Sequence, residues 1–242
     1  MKANGFGDKI TIIKGKMEEI KLPVEKVDII TSEWMGYCLL FESMLDTILY
    51  ARDKYLNPGG LLLPDRVTLN MVAVEDAKYK KEKFGFWDSV YGVKMDCVKK
   101  IALSEPLVDI VSKNRIISST HCFLDLDLYT VKPADLNFAH KYELTFTKTD
   151  TVHGITCWFD ADFSKVKNPV RLSTSPYSKS THWRQTLLYL NTPIRVKAGK
   201  TMHGSIAIRK SLVNFRDLDI KVSYHYKDEE SDVNYGQMYK LR

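Results

Sequence analysis

No stretch of the 242 residues reaches the run of about 18 apolar residues that a membrane-spanning helix needs, and the N-terminus carries no apolar signal core. Neither a membrane span nor a signal peptide is expected. The four cysteines, Cys38, Cys97, Cys122 and Cys157, form no C-x-x-C pair and show no zinc-ligand spacing. Free thiols in a reducing compartment and no metal site follow from that. Internal repeats and low-complexity segments are missing too. The excess of charge of one sign is small: the net charge is +6, with lysines scattered along the chain. The one denser run, KYKKEK at 78–83, suits a solvated helix face better than a nucleic-acid stripe, so direct nucleic-acid binding is not expected. What is present, 44% apolar and 27% charged residues, is ordinary for a globular protein. The length allows one large domain or two modest ones.

The first 65 residues read as α/β. Two isoleucine-rich runs, ITIIK at 10–14 and VDIIT at 27–31, suit buried strands of a parallel sheet. Phe41, Met44, Leu45, Ile48 and Leu49 recur at helical spacing. NPGG at 57–60 stops that helix, LLL at 61–63 predicts one more core strand, and PDR breaks it. The remainder changes character. Period-two alternation at 67–75, 121–131, 141–149, 153–163, 200–210 and 216–226 predicts an antiparallel sandwich or barrel. Between about 76 and 110 lies an insert with helical spacing and exposed-looking aromatics, Phe84, Phe86, Trp87 and Tyr91. Such an insert folds onto its own core or is offered to a partner.

The stretch SEWMGYCLLFESM, 32–44, sets Glu33 and Glu42 nine positions apart among mostly apolar residues. Burying a carboxylate costs several kcal/mol unless something offsets it. Glu33 lies just beyond the carboxyl end of the VDIIT strand, where ligands of open α/β sheets bind, and Glu42 begins the next helix. Continuous helix would hold the two roughly 13 Å apart. They converge only if WMGYCLL doubles back, and Gly36 makes a tight turn available. Two converging carboxylates need a cation, and a planar guanidinium with forked donors matches them best. The spacing alone also fits a plainer arrangement, in which Glu42 caps the helix and Glu33 pairs with a local lysine.

This stretch closely resembles the double-glutamate loop of the type I protein arginine methyltransferases. STHWRQT at 180–186 resembles their threonine-histidine-tryptophan loop. The order of elements is similar over essentially the whole chain: strand, double-glutamate loop, helix, PGGLLLPD, aromatic arm, β-barrel, THW and final strands. The resemblance implies an α/β plus β architecture. Residues 1–65 would be the C-terminal part of a Rossmann-like methyltransferase domain. Residues 66–242 would be an antiparallel β-barrel substrate-binding domain with a helical dimerisation arm at about 76–110. It further implies methyl transfer from S-adenosylmethionine to arginine in protein substrates, with asymmetric dimethylation. Arginine- and glycine-rich proteins such as histones and RNA-binding proteins would be the substrates, and cytoplasm and nucleus the location; the family's homodimer is not expected of this chain alone, because part of the surface on which the arm docks has no match.

The same resemblance assigns residues. Glu33 and Glu42 would hold the substrate guanidinium as the catalytic pair. Met44 would line their pocket and influence the second methyl addition, and Tyr37, His182 and Trp183 would wall it. Glu18 would take the adenine amino group of the cofactor, with Met17 packed on the adenine. Taken singly, His182 would be structural, Trp183 and Met44 core, and Glu18 one surface charge among many.

The sequence departs from the family at its start. Family members carry a glycine-rich loop after the first strand and an acidic residue after the second, which hold the cofactor in folds of this kind. Neither has a match here. The early glycine pair, NGFGD at 4–8, precedes what matches the third strand, so Met1 matches an internal position of the family. The family's N-terminal helices and the acidic partner of its histidine are unmatched as well. The chain by itself is therefore expected not to hold S-adenosylmethionine tightly. An unpartnered arm would leave Phe84, Phe86 and Trp87 exposed. The alternative is a catalytically dead relative that serves as a protein-interaction module through its arm and barrel.

Overall fold

The computed structural model describes residues 1–242, the side chain of Lys2 excepted. Strand β1 (Val27–Thr31) lies parallel to β2 (Leu56–Leu63), and the helix α1 (Leu45–Tyr55) lies between them in the chain. Ile29 registers with Leu61 and Thr31 with Leu63. Helix α1 forms because Leu45, Ile48, Leu49 and Tyr55 bury one face. It stops at Tyr55, just before NPGG, because Pro58 disfavours helical backbone at Asn57 and has no N–H to donate. The NPGG residues continue into β2.

The expected strand at 10–14 does not form. Residues 10–14 are irregular, with Ile10, Ile12 and Ile13 exposed, and no strand pairs with them among the described residues. Extended backbone without a ladder partner leaves its N–H and C=O groups to water, so apolar composition alone does not make a strand there. Strand β1 is flanked only by β2 and is less buried than its composition predicts; Ile29 is 54% exposed.

The β-rich remainder builds two antiparallel sheets. Its strands are β3 (Arg66–Val74), β4 (Leu107–Asp109), β5 (His121–Asp127), β6 (Phe138–Thr145), β7 (Asp150–Phe163), β8 (Val170–Ser173), β9 (Gln185–Val196), β10 (Thr201–Lys210), β11 (Leu218–Lys227) and β12 (Asp232–Leu241). The larger sheet runs β4-β9-β7-β3-β5 with β8 on β7, and the smaller β12-β11-β10-β6. Each of the six alternating stretches supplies a strand. Strands β9 and β12 were not signalled by alternation. The first half of β9 is buried on both faces, so polar and apolar positions do not alternate there.

The two sheets close into a barrel-like body around one core. That core runs without a break from Trp34, Leu39 and Leu45 to Tyr142, Tyr224 and Leu241. Buried polar groups stitch the sheets together: Gln237 Nε2 and the Tyr239 hydroxyl both donate to the Tyr189 carbonyl, each at 3.0 Å. Buried donors kept in this way cost little, whereas orphaned ones cost about 1–3 kcal/mol each.

The arm runs from α2 (Ala77–Tyr79) through a π turn at Lys80–Phe84 and a 3-10 turn at Gly85–Asp88 to α3 (Asp96–Ser104). Phe84 was expected to be exposed and is buried. Its ring packs 5.0 Å from Tyr189 and 6.3 Å from Tyr79, on a small core of its own with Leu103 and Trp158. Trp87 is half-buried, 5.2 Å from Phe86 between ring centroids. Phe86, Tyr91, Val93 and Ile101 are exposed.

Candidate functional site

The segment between the two glutamates doubles back. The Gly36 N–H donates to the Leu39 carbonyl at 2.9 Å and the Phe41 N–H to Tyr37 at 3.1 Å. The reversal is made by left-handed backbone at Cys38 (φ 50°) and Leu39 (φ 66°), then at Glu42 (φ 74°) and Ser43 (φ 55°). Non-glycine residues rarely adopt such backbone, and clusters of it mark functional sites. Gly36 itself does not supply the turn by positive φ. It is required by crowding: a Cβ there would lie 2.1 Å from the Phe41 carbonyl oxygen.

Glu33, Tyr37 and Glu42 of this hairpin, with Met35, Gly36 and Phe41, share a cavity of about 220 Å³ with His182 and Trp183. The last two come from the turn before β9. The Trp183 indole N–H donates to the Met35 carbonyl at 2.7 Å, and its ring stands edge-on to Phe159 at 5.5 Å. His182 lies against Trp183 with ring centroids 3.8 Å apart and stays exposed. Two chain regions 148 residues apart are thus joined at the cavity wall by a buried hydrogen bond.

Glu33 is exposed and makes no side-chain hydrogen bond or ion pair among the described residues. Glu42 is half-buried, and one of its oxygens, Oε1, accepts from Arg216 Nη2 at 2.7 Å. The plainer arrangement is overturned: Met44 is the N-cap of α1, Glu42 precedes it, and Glu33 has no lysine partner among the described residues. Two carboxylates on one small cavity, one of them unpaired, favour a cationic guest. Cys38, in the same hairpin, is no nucleophile, because burial pushes its thiol up to about 12.

Met44 is not part of this cavity. It is exposed and borders a separate, nearly closed space with Leu40, Leu136 and Lys210, because the left-handed turn at Glu42–Ser43 redirects the chain before α1. Met17 and Glu18 also lie outside the cavity, in the turn ahead of β1. The Glu18 carboxylate accepts from the Thr47 hydroxyl of α1 at 2.6 Å, and that bond holds it below the usual carboxylate range. Sequence inspection missed Met35 and Phe41 as wall residues, although both sit inside the quoted stretch. It also missed Arg216, for which the local sequence carries no signal.

Comparison with known proteins shows which family the chain resembles. Residues 65–229 match the family described as the arginine methyltransferase oligomerization subdomain. Protein arginine N-methyltransferase 1 of Chlamydomonas reinhardtii is 46% identical over 242 residues, covering 100% of this chain and 70% of the relative. The fission yeast Schizosaccharomyces pombe protein of the same name is 51% identical over 230 residues, covering 95% of this chain and 68% of the relative. Among solved structures, the Trypanosoma brucei PRMT1 enzyme-prozyme heterotetrameric complex with AdoHcy superposes with a TM-score of 0.96 at 41% identity, covering 100% of this chain and 76% of that one.

Proposed function

This chain belongs to the protein arginine N-methyltransferase family, and on that premise we propose that its hairpin cavity receives the guanidinium of a substrate arginine for methylation. The observation that carries the proposal is Glu33 and Glu42 lining one small cavity walled by Tyr37, His182 and Trp183. An arginine side chain stays charged at any physiological pH, so it matches two carboxylates permanently. Held by both, its plane is fixed and one terminal nitrogen is aimed outward. S-adenosylmethionine, when bound, supplies a methyl group on a sulfonium cation. The two glutamates offset the repulsion between that cation and the guanidinium. The released proton passes to Glu33 or to His182, which line the same cavity.

The residues present fit the cofactor in part. Glu18, fixed by Thr47 through one oxygen, keeps acceptor capacity for an exocyclic amine, and Met17 beside it is half-buried. No glycine-rich loop occurs in the sequence to receive the rest. We assign residues 1–65 to the C-terminal part of a Rossmann-like domain and 66–242 to the substrate-binding barrel. Type I chemistry, arginine- and glycine-rich substrates, self-association through the arm and a cytoplasmic and nuclear location complete the proposal. The exposed Phe86, Tyr91, Val93 and Ile101 support association. The unmatched cofactor loop motivates a second reading, in which the chain is a catalytically dead relative that serves as a protein-interaction module.

The experiment is transfer of labelled methyl from S-adenosylmethionine to an arginine- and glycine-rich peptide by the full product of the encoding gene. Glu42→Gln should lower turnover by at least roughly 10²-fold with folding intact. Near-normal methylation by that variant would remove the pocket assignment. Absence of transfer by the unsubstituted protein would favour the second reading.

A further inference from the structure

We infer that Arg216 is a positioning residue for Glu42. It grips one oxygen from outside the cavity and leaves the other for the substrate; the inference rests on the guanidinium-pocket reading above. Arg216 belongs to the β10–β11 loop, residues 211–217, and its placement is built into that loop. The Ser211 N–H donates to the Asp217 carbonyl and the Asp217 N–H to Asn214, both at 2.9 Å. The Arg216 N–H donates to Asn214 Oδ1 at 3.2 Å. The loop is then tied to the hairpin three times. The Glu42 N–H donates to the Arg216 carbonyl at 2.7 Å, Ser43 Oγ donates to the Phe215 carbonyl, and Arg216 Nη2 donates to Glu42 Oε1. At the base of the loop Lys210 pairs with Asp46 of α1.

Glu42 needs such a hold. Its backbone is left-handed, and its side chain forms no other hydrogen bond among the described residues. A free glutamate side chain samples several rotamers, and only a subset aims an oxygen into the cavity. The contact with Arg216 is through a single nitrogen, and Arg216 does not line the cavity that Glu42 lines. Arg216 therefore fixes the carboxylate without filling the space meant for a second guanidinium. A lysine at this position would keep the charge and lose the planar donor that sets the angle.

The test uses the full gene product and steady-state methylation of an arginine- and glycine-rich peptide. Arg216→Ala should lower kcat/KM by roughly 10²-fold, mostly in kcat, and Arg216→Lys should recover part of the loss. In a Glu42→Gln background, read by single turnover, Arg216→Ala should add almost nothing, because Arg216 acts through the Glu42 carboxylate, whose charge that background lacks. Thermal unfolding checks that each variant is folded; where Arg216→Ala is not, Arg216→Gln replaces it. Unchanged kinetics for Arg216→Ala, or full additivity with Glu42→Gln, would overturn the inference. So would a lower KM with unchanged kcat, which would make Arg216 a competitor for the pocket. If Glu42→Gln is itself fully active, the pocket reading fails first. Should the protein transfer no methyl group, affinity for the same peptide replaces turnover. There Arg216→Ala should weaken binding about tenfold, and equal or tighter binding overturns the inference.

Discussion

A methyl group added at Gly36 would stand 2.1 Å from the Phe41 carbonyl oxygen and 2.7 Å from its carbon, both backbone atoms that cannot rotate away. Gly36→Ala should therefore open the hairpin, lowering stability in urea unfolding by about 2 kcal/mol and abolishing arginine-peptide binding. Trp183→Phe keeps most of the apolar surface and removes the donor to the Met35 carbonyl. It should cost about 1–3 kcal/mol in the same measurement, the usual penalty for an orphaned buried acceptor. At this scale the sequence was half informative. The carboxylates, Tyr37, His182 and Trp183 were named from two motifs, whereas Met35 and Phe41 were missed and Met44 was misplaced. The reason for Gly36 was not, since crowding against Phe41 is a property of the folded turn and not of glycine's backbone freedom. Arg216 was illegible, being 174 residues from Glu42 with no periodicity to connect them.

Among the elements, the arm separates anchor from surface. Phe84 is buried against Tyr79 and Tyr189, so Phe84→Ala should cost about 3 kcal/mol in denaturant unfolding. Phe86→Ala, at an exposed position, should change stability by less than about 0.5 kcal/mol. The root of the arm also holds an ammonium in poor surroundings. Lys80 donates to the Leu190 and Asn191 carbonyls, and burial, with Lys99 nearby, pushes its pKa down to about 8. The unfolded chain, with lysine near its ordinary value of about 10.4, then binds more protons than the folded one between the two values. Stability from this group is lowest below pH 8 and rises from there to about pH 10.4. Urea unfolding of the protein and of Lys80→Met across that window should show their difference changing in favour of the native sequence; a flat difference would contradict it. Strands that face core on one side and water on the other announced themselves by alternation. Strand β9, buried on both faces at its start, did not, and the run at 10–14 announced a strand for which the chain offers no neighbour.

At the level of the whole molecule, one apolar core spans both the parallel unit and the barrel, so the two should unfold together. The arm segment that carries the exposed Phe86, Tyr91, Val93 and Ile101 stands outside that core. If it joins copies of the chain, Tyr91→Ser with Ile101→Lys should shift sedimentation toward the monomer without altering the unfolding midpoint; unchanged sedimentation would argue against it. The class of fold was legible because period-two patterning is a local signal repeated many times. The way the hairpin and the β10–β11 loop meet was not, because it depends on sheet order, which no local window encodes. The tie between Glu42 and Arg216 bears finally on the order of synthesis. A ribosome makes Arg216 174 residues after Glu42. A nascent chain thus carries both glutamates long before it carries the arginine that orients one of them. Every premature stop ahead of residue 216 leaves Glu42 without that partner, and the site is completed only once the β10–β11 loop has been made.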